Sequence, residues 1–96
     1  MALLDDDTID NWLAGHEEWR REGDAIKRSV ESATFPAAID LVDRVAQVAE
    51  ARDHHPDIDI RWRTVHFTLS THSAGGLTQK DLDLAAMIDE LAPQAQ

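Results

Sequence analysis

The apolar pattern between residues 58 and 69 constrains this chain more than any other feature. Ile58, Ile60 and Trp62 hold even positions among Asp59, Arg61 and Arg63. Val65, Phe67 and Leu69 then hold odd positions among Thr64, His66, Thr68 and Ser70. Successive side chains of a strand point to opposite faces, so a single strand would turn one of these apolar sets to water. Two strands joined by a tight turn near Trp62–Thr64 remove the conflict. An antiparallel sheet is therefore built into the second half of the chain.

The remaining segments supply the rest of the layer. Asp5-Asp6-Asp7-Thr8 offers N-cap oxygens and negative charge for a short helix from about Thr8 to Ala14, carrying Ile9, Trp12 and Leu13 and stopping at Gly15. Trp19–Arg21 and Ala25–Val30 flank Glu22-Gly23-Asp24, which reads as a hairpin turn. Thr34 with Pro36 in the first turn opens a long helix. Its predicted apolar stripe is Ile39, Val42, Val45-Ala46 and Ala49, opposite Asp40, Asp43, Arg44 and Gln47, and Pro56 ends it near Arg52 or Asp53. Gly75-Gly76 marks a loop. Thr78 followed by Asp81 is a capping-box variant that opens a last helix with Leu84-Ala85, Ile88 and Leu91-Ala92 as its stripe, ended by Pro93. The order α-β-β-α-β-β-α predicts an α+β fold, a four-stranded antiparallel sheet with helices packed on one face, as a single domain over residues 1–96.

Composition narrows the function. No Cys is present, which excludes a disulfide scaffold, a Cys-zinc site and a thiol nucleophile. Nine Lys and Arg against 19 Asp and Glu give a net charge of −10, which disfavours direct binding to nucleic acid or to an anionic membrane. The N-terminal Met1-Ala2-Leu3-Leu4 lacks a signal-peptide pattern and no apolar run spans a bilayer, so a cytoplasmic location is expected. Phosphate loops, GxSxG, HExxH and EF-hand patterns are absent.

What remains is histidine placement. His54-His55-Pro56 closes the long helix, His72 closes the second predicted strand, and Glu50 and Asp53 precede the pair within one turn. A strand end and a helix end can meet, which lets three imidazoles line one pocket; imidazole exchanges protons near neutrality. On spacing alone, the stronger reading is that the adjacent pair merely caps the helix carbonyls. A shared zinc ion is disfavoured, because His55 precedes Pro and neighbours in an extended chain diverge. Asp81 at the third helical position reads as a capping acid. His16 and His66 read as surface residues, and Trp12, Trp19 and Trp62 as packed in or beside the core.

The stretch Glu50-x3-His54-His55-Pro56-x5-Trp62-x9-His72-x8-Asp81 resembles the signature of the pterin-4a-carbinolamine dehydratases. Asp57-Ile58-Asp59-Ile60-Arg61 and Thr71-His72-Ser73-Ala74-Gly75-Gly76-Leu77-Thr78 extend the likeness, and Trp19, Gly23-Asp24 and Phe35 fit it too, so it covers nearly the whole chain. Trp62 stands where the family more often has Tyr.

The resemblance implies the same element order. It also implies dehydration of 4a-hydroxytetrahydrobiopterin to the quinonoid dihydropterin, as in recycling of the pterin after aromatic amino acid hydroxylation. In that case His54 and His72 are the acid–base pair and His55 binds or orients the pterin. Glu50 and Asp53 support them, and Pro56, Trp62 and Asp81 contribute to substrate binding. No metal and no cofactor are expected, and a homodimer or homotetramer is. The same fold also serves as a dimerisation cofactor for a homeodomain transcription factor and as a carboxylase assembly chaperone. A pterin-binding role in molybdopterin metabolism is a further alternative. Degenerate relatives used for assembly can lose the histidines; all three are present here.

Overall fold

The computed structural model describes residues 2–93; Met1 and residues 94–96, the ends of the expected domain, lie outside the described residues. Helix α1 (Asp6–Ala14) begins two residues earlier than expected, because Asp5 is its cap and accepts from the Thr8 amide at 2.8 Å. Strands β1 (Arg20–Glu22) and β2 (Ala25–Glu31) form a hairpin whose turn holds Gly23 at φ +57°, a conformation glycine adopts without a Cβ penalty. Trp19 lies just before β1 rather than within it. Helix α2 (Phe35–Ala51) starts on Thr34, whose hydroxyl accepts from the Ala37 amide at 3.1 Å. Strands β3 (Asp57–Arg61) and β4 (Thr64–Leu69) follow, then a 3-10 turn (His72–Ala74) and helix α3 (Gln79–Leu91).

The four strands run antiparallel in the order β1-β2-β4-β3. The parity argument holds in detail: Ile58 pairs with Phe67 and Ile60 with Val65, so both apolar sets reach one face. On the other side of β4, Leu69 meets Ile26 and Val65 meets Val30. That face buries Phe67 completely against the helices, worth about 2–3 kcal/mol for a side chain of this size.

Two expectations need correction. The buried stripe of α2 is Ala38, Leu41, Val45 and Ala49, with Val42 and Val48 half-buried at its flank, whereas Ala46 is exposed and Ile39 only half-buried. This helix is rich enough in apolar residues that two neighbouring stripes both show a period near 3.6. The stripe that turns inward carries Leu41, which fills more of the core than Val42. The second correction concerns Trp62, which is not beside the core. It occupies the first position of the two-residue β3–β4 turn at φ +55° and is 73% exposed, with the Arg63 guanidinium 5.3 Å above its ring. A positive φ at that position matches the right-handed twist of the flanking strands, and it aims the indole past the tip of the hairpin. Trp19 is buried and Trp12 half-buried, as expected. His16 is half-buried rather than free at the surface: it stacks on Trp12 at 3.9 Å and its Nδ1–H donates to the Trp12 carbonyl at 2.7 Å. No helix among the described residues is long and apolar enough to cross a membrane.

Candidate active site

The end of α2 sets the position of the histidine pair. Asp53 stands just past the helix in the left-handed region, at φ +51°. Its amide donates to the Glu50 carbonyl at 3.1 Å, and the amide of His54 reaches back to Ala49 at 3.0 Å. These two bonds form the Schellman closure, which reverses the chain sharply and satisfies the last helix carbonyls. His54 is thereby folded back under the helix end, while His55 leaves on the extended path that Pro56 imposes.

The two imidazoles consequently diverge. His54 Nε2 meets Asp81 Oδ1 at 2.6 Å, and its side chain is only 11% exposed. His55 Nε2 meets Glu50 Oε1 at 2.8 Å, with both side chains largely in water. That exposed pair contributes little to stability, but the Glu50 carboxylate does orient the ring.

The third histidine comes from the segment after β4. Thr71 and Gly76 form an isolated antiparallel bridge, with the Thr71 amide donating to Gly76 at 2.9 Å. Between them the 3-10 turn closes on Gly75, which takes φ +77°. His72 begins this turn instead of ending β4, which stops at Leu69. It is exposed. A cleft of about 340 Å³ results, lined by Asp53, His54 and His55 on one side and by Ser70, Thr71, His72 and Ser73 on the other, with Lys80 of α3 at its edge.

So the fold does bring His54, His55, His72 and Asp53 to one cleft. Glu50 touches it only through His55, and Pro56 shapes the exit of the chain without lining it. Trp62 is not part of it. The cleft sits where β3 begins and β4 ends, and Trp62 lies at the opposite end of that hairpin, five residues or about 15 Å along the strand from Asp57. Asp81 is fully buried beneath the cleft. Its Oδ2 accepts from the Thr78 amide at 2.9 Å, as the capping spacing predicts, but Oδ1 faces His54. Spacing within one helix carries no sign of that second contact. Ser70, Thr71, Ser73 and Lys80 were not singled out individually by the sequence, although Thr71 and Ser73 flank His72 and Lys80 adjoins Asp81.

The comparison with known proteins decides the family. The family model described as Pterin 4 alpha carbinolamine dehydratase matches residues 2–91. The chain belongs to the pterin-4a-carbinolamine dehydratase family. A relative from Nocardia farcinica is 64% identical over 90 residues, covering 94% of this chain and 95% of its own. One from Mycobacteroides abscessus is 61% identical over 89 residues, covering 93% and 95%. Both carry the name "Putative pterin-4-alpha-carbinolamine dehydratase". Among solved structures, a transcriptional coactivator/pterin dehydratase from Brucella melitensis is similar with a TM-score of 0.91 at 29% identity, over 96% of this chain and all of that one. A pterin dehydratase-like protein identified as a RuBisCO assembly factor in the alpha-carboxysome shares the fold at a TM-score of 0.69 and 23% identity, over 83% of this chain and 95% of its own. The α+β dehydratase fold is thus the fold of this chain.

Proposed function

We propose that the chain is a 4a-hydroxytetrahydrobiopterin dehydratase that forms the quinonoid dihydropterin and water by histidine acid–base catalysis. The observation that carries this reading is the convergence of His54, His55 and His72 on one cleft. The reaction breaks the C4a–O bond, and the departing oxygen must be protonated as it leaves. It also removes the N5 proton, whose electron pair becomes the new C=N bond. One acid and one base therefore suffice, and both protons are accounted for in the product water and the protonated base. His54 and His72 are the acid–base pair, and His55, held by Glu50, orients the pterin. Supply of substrate by a pterin-dependent hydroxylase, and hence a place in tetrahydrobiopterin recycling in the cytoplasm, follows from the same reading.

The Brucella and carboxysome proteins carry names that include coactivation and assembly. A purely non-catalytic role would leave a cleft with three imidazoles unexplained. The test is a stopped-flow dehydration assay with carbinolamine generated in situ. His54→Ala and His72→Ala should each lower turnover by roughly 10²–10⁴-fold while circular dichroism stays unchanged. Wild-type turnover in both variants would remove the histidines from the chemistry. No activity in the parent chain would turn the reading toward binding.

A further inference from the structure

Beneath the cleft lies a network of three buried polar side chains that the acid–base pair does not itself include. Thr71, Thr78 and Asp81 are 5%, 0% and 0% exposed. A carboxylate held away from water needs donors on both oxygens. Asp81 Oδ2 has two, the Thr78 amide at 2.9 Å and the Thr71 hydroxyl at 2.8 Å. The Thr71 and Thr78 hydroxyl oxygens are also 2.8 Å apart. A hydroxyl has a single proton, and that of Thr71 goes to Asp81, so Thr78 must be the donor in this contact. The protons are therefore ordered in one direction, from Thr78 to Thr71 to Asp81.

That ordering leaves Oδ2 fully engaged and the carboxylate held in one orientation. With Oδ2 satisfied twice over, the remaining acceptor of Asp81 is Oδ1, 2.6 Å from His54 Nε2. Asp81 is the acceptor in each of its other contacts, and with Oδ1 accepting here too the proton of that bond belongs to Nε2. Nδ1 has no partner among the described residues, and the ring lines the cleft. Both threonines are held firmly, Thr71 by its two-way backbone bridge to Gly76 and Thr78 as the cap of α3.

We propose that Thr71 and Thr78 are positioning residues, which lock Asp81 so that His54 carries its proton on Nε2 and presents Nδ1 to the substrate. The consequence for turnover rests on the dehydratase reading above; the state of the ring does not.

The experiment is ¹⁵N NMR of the imidazole nitrogens in the full chain, at a pH where His54 is neutral. In the parent protein His54 should show the Nε2–H tautomer. Thr71→Val keeps the shape but removes a donor that holds Asp81 in its orientation; the carboxylate can then turn away from Nε2, and His54 should become a mixture of tautomers. His66, hydrogen-bonded to Ser29 on the opposite face of the sheet, should keep its signals and serve as the internal control. In the dehydration assay kcat should fall on the order of tenfold with KM nearly constant, and Thr71→Ser should restore both tautomer and kcat. A parent His54 protonated on Nδ1 would overturn the proposal whatever the variants do. So would a Thr71→Val protein with an unchanged His54 spectrum. If the parent has no dehydratase activity but the tautomers behave as expected, the functional reading fails and the positioning role stands.

Discussion

At the scale of single residues, Asp53 shows how a backbone requirement can determine a site. It holds φ +51°, where a side chain costs about 1–2 kcal/mol relative to glycine and a β-branched one more. Asp is among the residues that tolerate this conformation, and the reversal it permits turns His54 toward Asp81. Asp53→Gly should therefore leave the melting temperature equal or higher. Asp53→Val should lower stability by about 1–2 kcal/mol, and it should reduce turnover further than Asp53→Gly does, because His54 loses its fixed approach to Asp81. Melting and turnover measured on both variants check this, and equal melting temperatures for the two would contradict it. The histidine triplet and Asp81 are legible in the sequence through the family signature that their spacing resembles. The His54–Asp81 contact is not, since nothing in two separate spacings tells which buried oxygen meets which ring.

At the scale of elements, the helices were legible through their caps and the β3–β4 hairpin through its parity, whereas rotation about a helix axis was not. The spacing in α2 fits two adjacent stripes equally, and only packing against the sheet selects Leu41 over Val42. Trp62 departs from expectation for a related reason: a large apolar residue predicts burial on average, but a turn position with positive φ overrides it. Caps also carry the pH response of α1. The backbone amide of Thr8, hydrogen-bonded to Asp5, holds that carboxyl below its usual range. A carboxyl depressed on folding stabilises above its unfolded value near pH 4, and this contribution is lost as pH falls through the lower folded value. Asn also caps well but does not titrate. At low ionic strength, the melting temperature of the parent relative to Asp5→Asn should consequently fall between pH 6 and pH 3. A difference independent of pH would rule this out.

At the scale of the whole molecule, one polar cluster ties the two ends of the chain together. The Trp19 indole donates to Asp89 at 2.8 Å, and Arg28 of β2 also pairs with Asp89, with side chains 14% and 24% exposed. Asp89→Ala leaves a largely buried guanidinium and an indole N–H without their acceptor, and should cost about 2–3 kcal/mol, or roughly 10 °C or more in melting temperature for a chain of this size. Turnover measured well below the melting point should not change, since the cluster lies outside the histidine cleft. A reduced kcat at full folding would mean that the two are coupled. The division runs through the entire polypeptide. Every residue lining the cleft falls within 53–80, and the buried carboxylate below it is residue 81. The segment up to Glu31 lends the cleft no lining residue and supports it from outside, through the sheet and through the Leu4 amide, which donates to the Leu77 carbonyl at 2.9 Å. In a cell, therefore, a substitution in the core of that supporting segment would register as too little protein, whereas one confined to the exposed side chains of the cleft would leave abundance intact and alter only what the cleft does.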